Sequence, residues 1–77
     1  MKTQINIKLF ATLQQFMPAS ADNYTIESGA TIQHLLEQLE IPQGKAKLIF
    51  INGVKADFNT ALNGGERVGI FPPVGGG

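Results

Sequence analysis

Apolar residues follow helical spacing over only one long stretch of this chain, and on both sides of it they alternate as in β-strands. Ile32, Leu35, Leu36 and Leu39 fall at i, i+3, i+4 and i+7, one stripe wide enough to face a core. Thr31 is placed to cap that helix. Pro42 disfavours helical geometry at Ile41 and Gly44 follows, so the helix is expected to stop near Glu40. Earlier in the chain, Ile5, Ile7 and Leu9 alternate with Asn6 and Lys8, which predicts a strand from Thr3 to Phe10 with one buried face. Ala11 to Met17 switches to helix formers, with Leu13 and Phe16 three apart, and Pro18 ends this short helical turn. Tyr24 to Glu27 is β-branched and aromatic, and Ser28-Gly29 stops it, so it can pair back on the first strand.

Beyond the helix the period changes again. Leu48-Ile49-Phe50-Ile51 runs into Asn52-Gly53, a strong hairpin signal, and Val54-Lys55-Ala56 can return as a further strand. A two-residue turn would set Lys55 on the face of Phe50, which fits only if Lys55 lies at a sheet edge. Asp57 to Leu62 reads as a turn or a single helical loop, and the glycines of Asn63-Gly64-Gly65 permit positive φ. Arg67 to Phe71 is the last strand. Pro72-Pro73 cannot donate ladder hydrogen bonds, so the sheet releases the chain there. Residues 1–73 are thus expected to form one domain, and Val74, Gly75, Gly76 and Gly77 a slender mobile tail. The order strand, strand, helix, strand, strand, strand is α+β: one amphipathic helix across a mixed sheet of four or five strands, a β-grasp arrangement.

Strand parity then assigns faces. If Ile5, Ile7, Leu9, Leu48, Phe50, Val68 and Ile70 face the helix, Phe10, Ile49, Ile51 and Phe71 face outward, and Lys8, Lys47 and Arg67 share that outward parity. The expected result is an apolar patch rimmed with positive charge, suited to protein binding. Glu37 and Glu40 belong to the helix side. The bland alternative tucks Phe10 and Phe71 under loops.

Composition narrows the chemistry. The chain has 77 residues, six basic and six acidic groups, one His and no Cys. A closed zinc site of the usual ligands and thiol chemistry are both excluded. No basic excess selects nucleic acid or anionic lipid, and no apolar run reaches spanning length, so a cytoplasmic protein without nucleic-acid or membrane partners is expected. His34 lies about 200° around the helix from Ile32, on the solvated face beside Glu37 and Gln38. Ser20 and Ser28 have no base or oxyanion motif beside them, and Asp57 and Glu66 lack acidic companions. Asn63-Gly64-Gly65 precedes a strand instead of opening a helix, so it is no phosphate loop. The remaining chemical group is the carboxylate of Gly77, presented on glycines that could thread a narrow channel in a partner enzyme. Ordinary fraying of a terminus is the competing account.

Lys8-Leu9-Phe10-Ala11-Thr12-Leu13 near the start and Gly69-Ile70-Phe71-Pro72-Pro73-Val74-Gly75-Gly76-Gly77 at the end resemble the MoaD/ThiS sulfur carriers, which are ubiquitin-like β-grasp proteins. The likeness covers essentially the whole chain, and its first segment and Phe-Pro-Pro ending favour the small subunit of molybdopterin synthase. The resemblance implies that an adenylating enzyme of the ubiquitin-activating type uses ATP to activate the Gly77 carboxylate. A sulfur donor protein then displaces AMP to leave a thiocarboxylate, and the large subunit of molybdopterin synthase is a possible receiver. Gly75 and Gly76 would thread the partner's channel, and the chain would bind no cofactor of its own. Thiamine or other sulfur transfer, conjugation of Gly77 to lysines as a ubiquitin-like modifier, and a plain interaction module with an inert tail are the alternatives.

Overall fold

A five-stranded mixed sheet carries one helix across one of its faces. The computed structural model describes residues 1–73, in which β1 (Lys2–Leu9), β2 (Tyr24–Glu27), α1 (Ile32–Gln38), β3 (Leu48–Ile51), β4 (Val54–Ala56) and β5 (Arg67–Phe71) follow in chain order. The strands lie side by side as β2-β1-β5-β3-β4. β1 and β5 are parallel and the other neighbours antiparallel, so the last strand enters the centre of the sheet. The α+β class, the single main helix and the mixed sheet match the sequence reading. The helical turn after β1 is a 3-10 helix, Ala11–Phe16, with shorter ones at Ala21–Asn23 and Gln43–Lys45.

The helix stripe packs as its spacing predicts: Ile32, Leu35 and Leu36 are fully buried against Ile5, Ile7, Leu9, Val68 and Ile70 from the central strands. Leu62, from the segment read only as a turn, joins this core at 0% exposure. The same segment also closes the start of the helix. The carbonyls of Thr60 and Phe58 accept from the Ile32 and Gln33 amides, two of the donors that a helix start leaves without intrahelical partners. Thr31 caps the helix by accepting from the His34 amide at 3.3 Å, and His34 Nδ1 accepts in return from the Thr31 amide. The lone histidine therefore closes a capping box, with imidazole in the place usually held by Glu or Gln.

The helix stops two residues short of Glu40, in a Schellman turn. The Ile41 amide donates to the Leu36 carbonyl and the Glu40 amide to that of Glu37, while Ile41 and Leu36 are both buried. That turn needs a left-handed residue, and Glu40 supplies it at φ 61°. A side chain there carries strain that glycine avoids, so Glu40→Gly is expected to stabilise the protein by about 0.5–1 kcal/mol, read as a rise in the denaturant midpoint at constant m-value. Gly64, at φ 115°, has a different constraint: a Cβ there would run into the Thr3 side chain.

Candidate functional site: the open face of the sheet

Among the described residues no α-helix covers the face away from α1, and register decides what it displays. The Asn52-Gly53 turn has φ of 52° and 82°, the left-handed pair that a two-residue hairpin demands. Asn52 also ties the turn to β5: its amide donates to the Arg67 carbonyl at 2.8 Å and its Oδ1 accepts from the Arg67 amide at 2.9 Å. With that register fixed, Ile49 pairs with Ile70, Phe50 with Gly69, Ile51 with Val68 and Leu48 with Phe71. Paired residues share a face, so β3 is turned over relative to the sequence expectation. Ile49 is buried at 2% exposure beside Ile70, and Ile51 packs partly buried against the core. Leu48 and Phe50, expected inside, stand half-buried on the open face. Lys47 is displaced from the patch as well. It precedes β3 on the parity of Ile49, is exposed, donates its amide to the Phe71 carbonyl, and does not line the hollow described below.

Phe10, Phe71, Lys8 and Arg67 do fall on the open face. The Phe10 and Phe71 rings stack at 4.1 Å with 2° between their planes, and Phe50 meets Phe71 edge-on at 5.7 Å. Among the described residues no loop hides Phe10 or Phe71; each is half-buried, its ring stacked on the other. Phe71 thus touches both of the other rings, and such pairs contribute about 0.5–1.5 kcal/mol beyond their area. Beside them lies a hollow of about 700 Å³, lined by Asn6, Lys8, Phe10, Phe50, Arg67 and Gly69 among others. Lys8 flanks Gly69 from β1, Phe50 flanks it from β3, and Lys55 pairs with Phe50 from the edge strand β4. The sharing of a face by Lys55 and Phe50 is thus satisfied at an edge, on the open side. Asp22 also lines the hollow, where its carboxylate accepts from the Asn6 side-chain Nδ2 at 3.4 Å. The charge of the surface is net positive, from Lys8, Arg67 and Lys55 against Asp22.

Sequence parity missed Phe50 and Gly69. A run of four apolar residues carries no alternation to show which face is which, whereas a glycine inside an apolar strand is a visible signal of close approach. Gly75, Gly76 and Gly77 lie outside the described residues. Pro72 and Pro73, the last residues described, border a small groove with Thr12, Leu13 and Lys45, where the chain leaves the sheet. Glu66 holds a turn together, since its two carboxylate oxygens accept from the Asn63 and Gly64 amides at 2.8 and 2.7 Å. No helix among the described residues is long and apolar enough to cross a membrane.

A central parallel strand that ends at a proline pair, one helix on one face and an aromatic, cation-rimmed surface on the other define a protein of the ubiquitin-like β-grasp class. The sequence profile of the ThiS family matches residues 7–77, and the chain belongs to that family. It is therefore of the MoaD/ThiS sulfur-carrier kind, whose members are carriers and not catalysts. The HVO 2177 protein of Haloferax volcanii is 26% identical, with a TM-score of 0.76 over 99% of this chain and 88% of its own. A Pyrococcus furiosus protein provisionally assigned as subunit 1 of molybdopterin converting factor is 27% identical, with a TM-score of 0.63 over 94% of this chain and 99% of its own. Small archaeal modifier protein 1 of Haloferax volcanii shares the fold at 21% identity, with a TM-score of 0.67 over 94% of this chain and 99% of its own. None of the curated proteins matches the chain closely enough to count as a relative.

Proposed function

We propose that the chain carries sulfur on Gly77 for molybdopterin synthesis. A family match that runs through residue 77, glycines included, is the observation that carries this reading. A free carboxylate is a poor electrophile. Attack of the Gly77 carboxylate on the α-phosphorus of ATP, with pyrophosphate leaving, makes an acyl-adenylate, and sulfur supplied at the sulfide level by a donor protein then displaces AMP to give the thiocarboxylate. ATP is held by an adenylating partner of the ubiquitin-activating type. This chain supplies the acyl group and a surface to dock, with Phe10, Phe50, Phe71, Lys8 and Arg67 as contacts. The large subunit of molybdopterin synthase is the proposed receiver. The likeness to the Pyrococcus furiosus protein supports that destination, and a Helicobacter pylori protein of the same fold is itself subunit 1 in a complex with subunit 2 of molybdopterin-converting factor.

Mass spectrometry of the chain isolated from its own cells tests the proposal. A terminus heavier by the exchange of one oxygen for sulfur is expected, and treatment with an alkylating agent should shift it further by the mass of one alkyl group as the thiocarboxylate becomes an S-alkyl thioester. A ladder of lysine conjugates through Gly77 without any thiocarboxylate would replace the sulfur reading with that of a protein modifier.

A further inference from the structure

Gly69 occupies the middle of the central strand, hydrogen-bonded into β1 on one side and β3 on the other, and the fold gives no reason for a glycine there. Its φ is not among the left-handed ones, and among the described residues a Cβ built on it would meet only the edge of the Phe10 ring, at 3.4 Å. A glycine in a strand interior weakens the strand, and where the ladder runs through it without a bulge, as here, it fits a place where another molecule approaches the backbone closely. We propose that Gly69 is the touchdown point for the activating enzyme, which inserts an apolar side chain, flanked by carboxylates, between Phe50 and Phe10.

The surroundings specify that occupant. The floor is bare backbone, the walls are phenyl rings, and Lys8 beside Gly69 and Arg67 beside Asn6 set positive charge on the rim. An apolar group that enters sheds water from the rings, and carboxylates next to it meet the two cations. Gly69 is then a specificity-determining residue, kept at a cost in stability to leave room. The inference rests on the carrier reading, because the partner named is the enzyme that activates Gly77.

The test separates docking from chemistry. Gly69→Ala and Gly69→Val are compared with the wild-type chain for thermal unfolding, for calorimetric affinity toward the purified adenylating enzyme, and for ATP-to-AMP turnover. Gly69→Ala is expected to melt higher, by about 2–6 °C, and Gly69→Val to remain folded. Gly69→Val is expected to bind at least about tenfold more weakly and to raise KM in proportion, with kcat unchanged. Lys8→Glu is expected to weaken binding most at low salt. Calorimetry reads docking even if Gly77 is never adenylated, so failure of the carrier reading and failure of this one are distinguishable. Undiminished affinity in a folded Gly69→Val chain overturns the assignment, and so does a lower melting temperature in Gly69→Ala, which would make the glycine a requirement of the fold. A dimer of this chain that Gly69→Val abolishes would put a second copy in the hollow and overturn it equally.

Discussion

Deletion of Gly76 and Gly77 is expected to abolish ATP-to-AMP turnover by the activating enzyme, with a loss of more than about a thousandfold, while stability changes by less than about 0.5 kcal/mol. The two halves have separate causes. The sheet ends at Phe71 and, among the described residues, the core is built from positions before the proline pair, so removal of the last two residues is expected to leave it intact. The truncated chain still ends in a carboxylate, but each extended residue spans about 3.5 Å, which leaves that group some 7 Å short of the nucleotide. Reacting atoms must approach to about 3–3.5 Å, and a misplacement of even 1 Å costs about two orders of magnitude in rate. Turnover assays with the purified enzyme, alongside urea unfolding, check both halves. Turnover of the truncated chain at the wild-type rate would exclude Gly77 as the activated group. A finer form of the same experiment uses Gly77→Ala, whose methyl is expected to slow kcat by crowding the channel while the affinity of the sheet face for the enzyme is unchanged.

Ile49→Asp is expected to unfold the protein, and Phe50→Asp is expected to leave it folded but unable to dock. Ile49 is 2% exposed and paired with Ile70, so a carboxylate there would be buried among apolar side chains with no partner. Such a group costs several kcal/mol, comparable with the whole stability of a domain this small. Phe50 stands half-buried on the open face, where a carboxylate remains in water and its main effect is to remove the ring that wedges against Phe71. Circular dichroism of the two variants decides between them. A cooperative native-like melt for Ile49→Asp would mean that β3 presents its other face, as strand parity alone suggests.

Much of the architecture is legible in the residues, and for identifiable reasons. β1 alternates apolar and polar side chains, α1 carries its stripe between a capping Thr31 and the Pro42 stop, and Asn52-Gly53 can hardly be anything but a two-residue turn. Each is a local signal, set within a few residues by sterics or by the spacing of side chains. The glycine ending and the Phe-Pro-Pro that precedes it are local too, and they point to the family without any coordinate. Leu62 shows where this stops working. Nothing in Asp57–Leu62 repeats with a period, and Leu62 is buried because the segment folds back to satisfy the amides at the start of α1.

The open face is the other such case. Leu48-Ile49-Phe50-Ile51 is apolar at every position, so either face could be the inner one, and a shift of one residue exchanges them completely. The choice is made by contacts far apart in sequence: Asn52 fastened to Arg67 sets the register, Ile49 comes to lie against Ile70, and Phe50 falls opposite Gly69, where the missing side chain leaves space beside its ring. The sequence by itself determined the elements, their order and the ending that points to the family, because those depend on neighbours along the chain. Which aromatic residues the open face displays was decided only by tertiary structure, because the face of a uniformly apolar strand is a property of its pairing and not of its own residues.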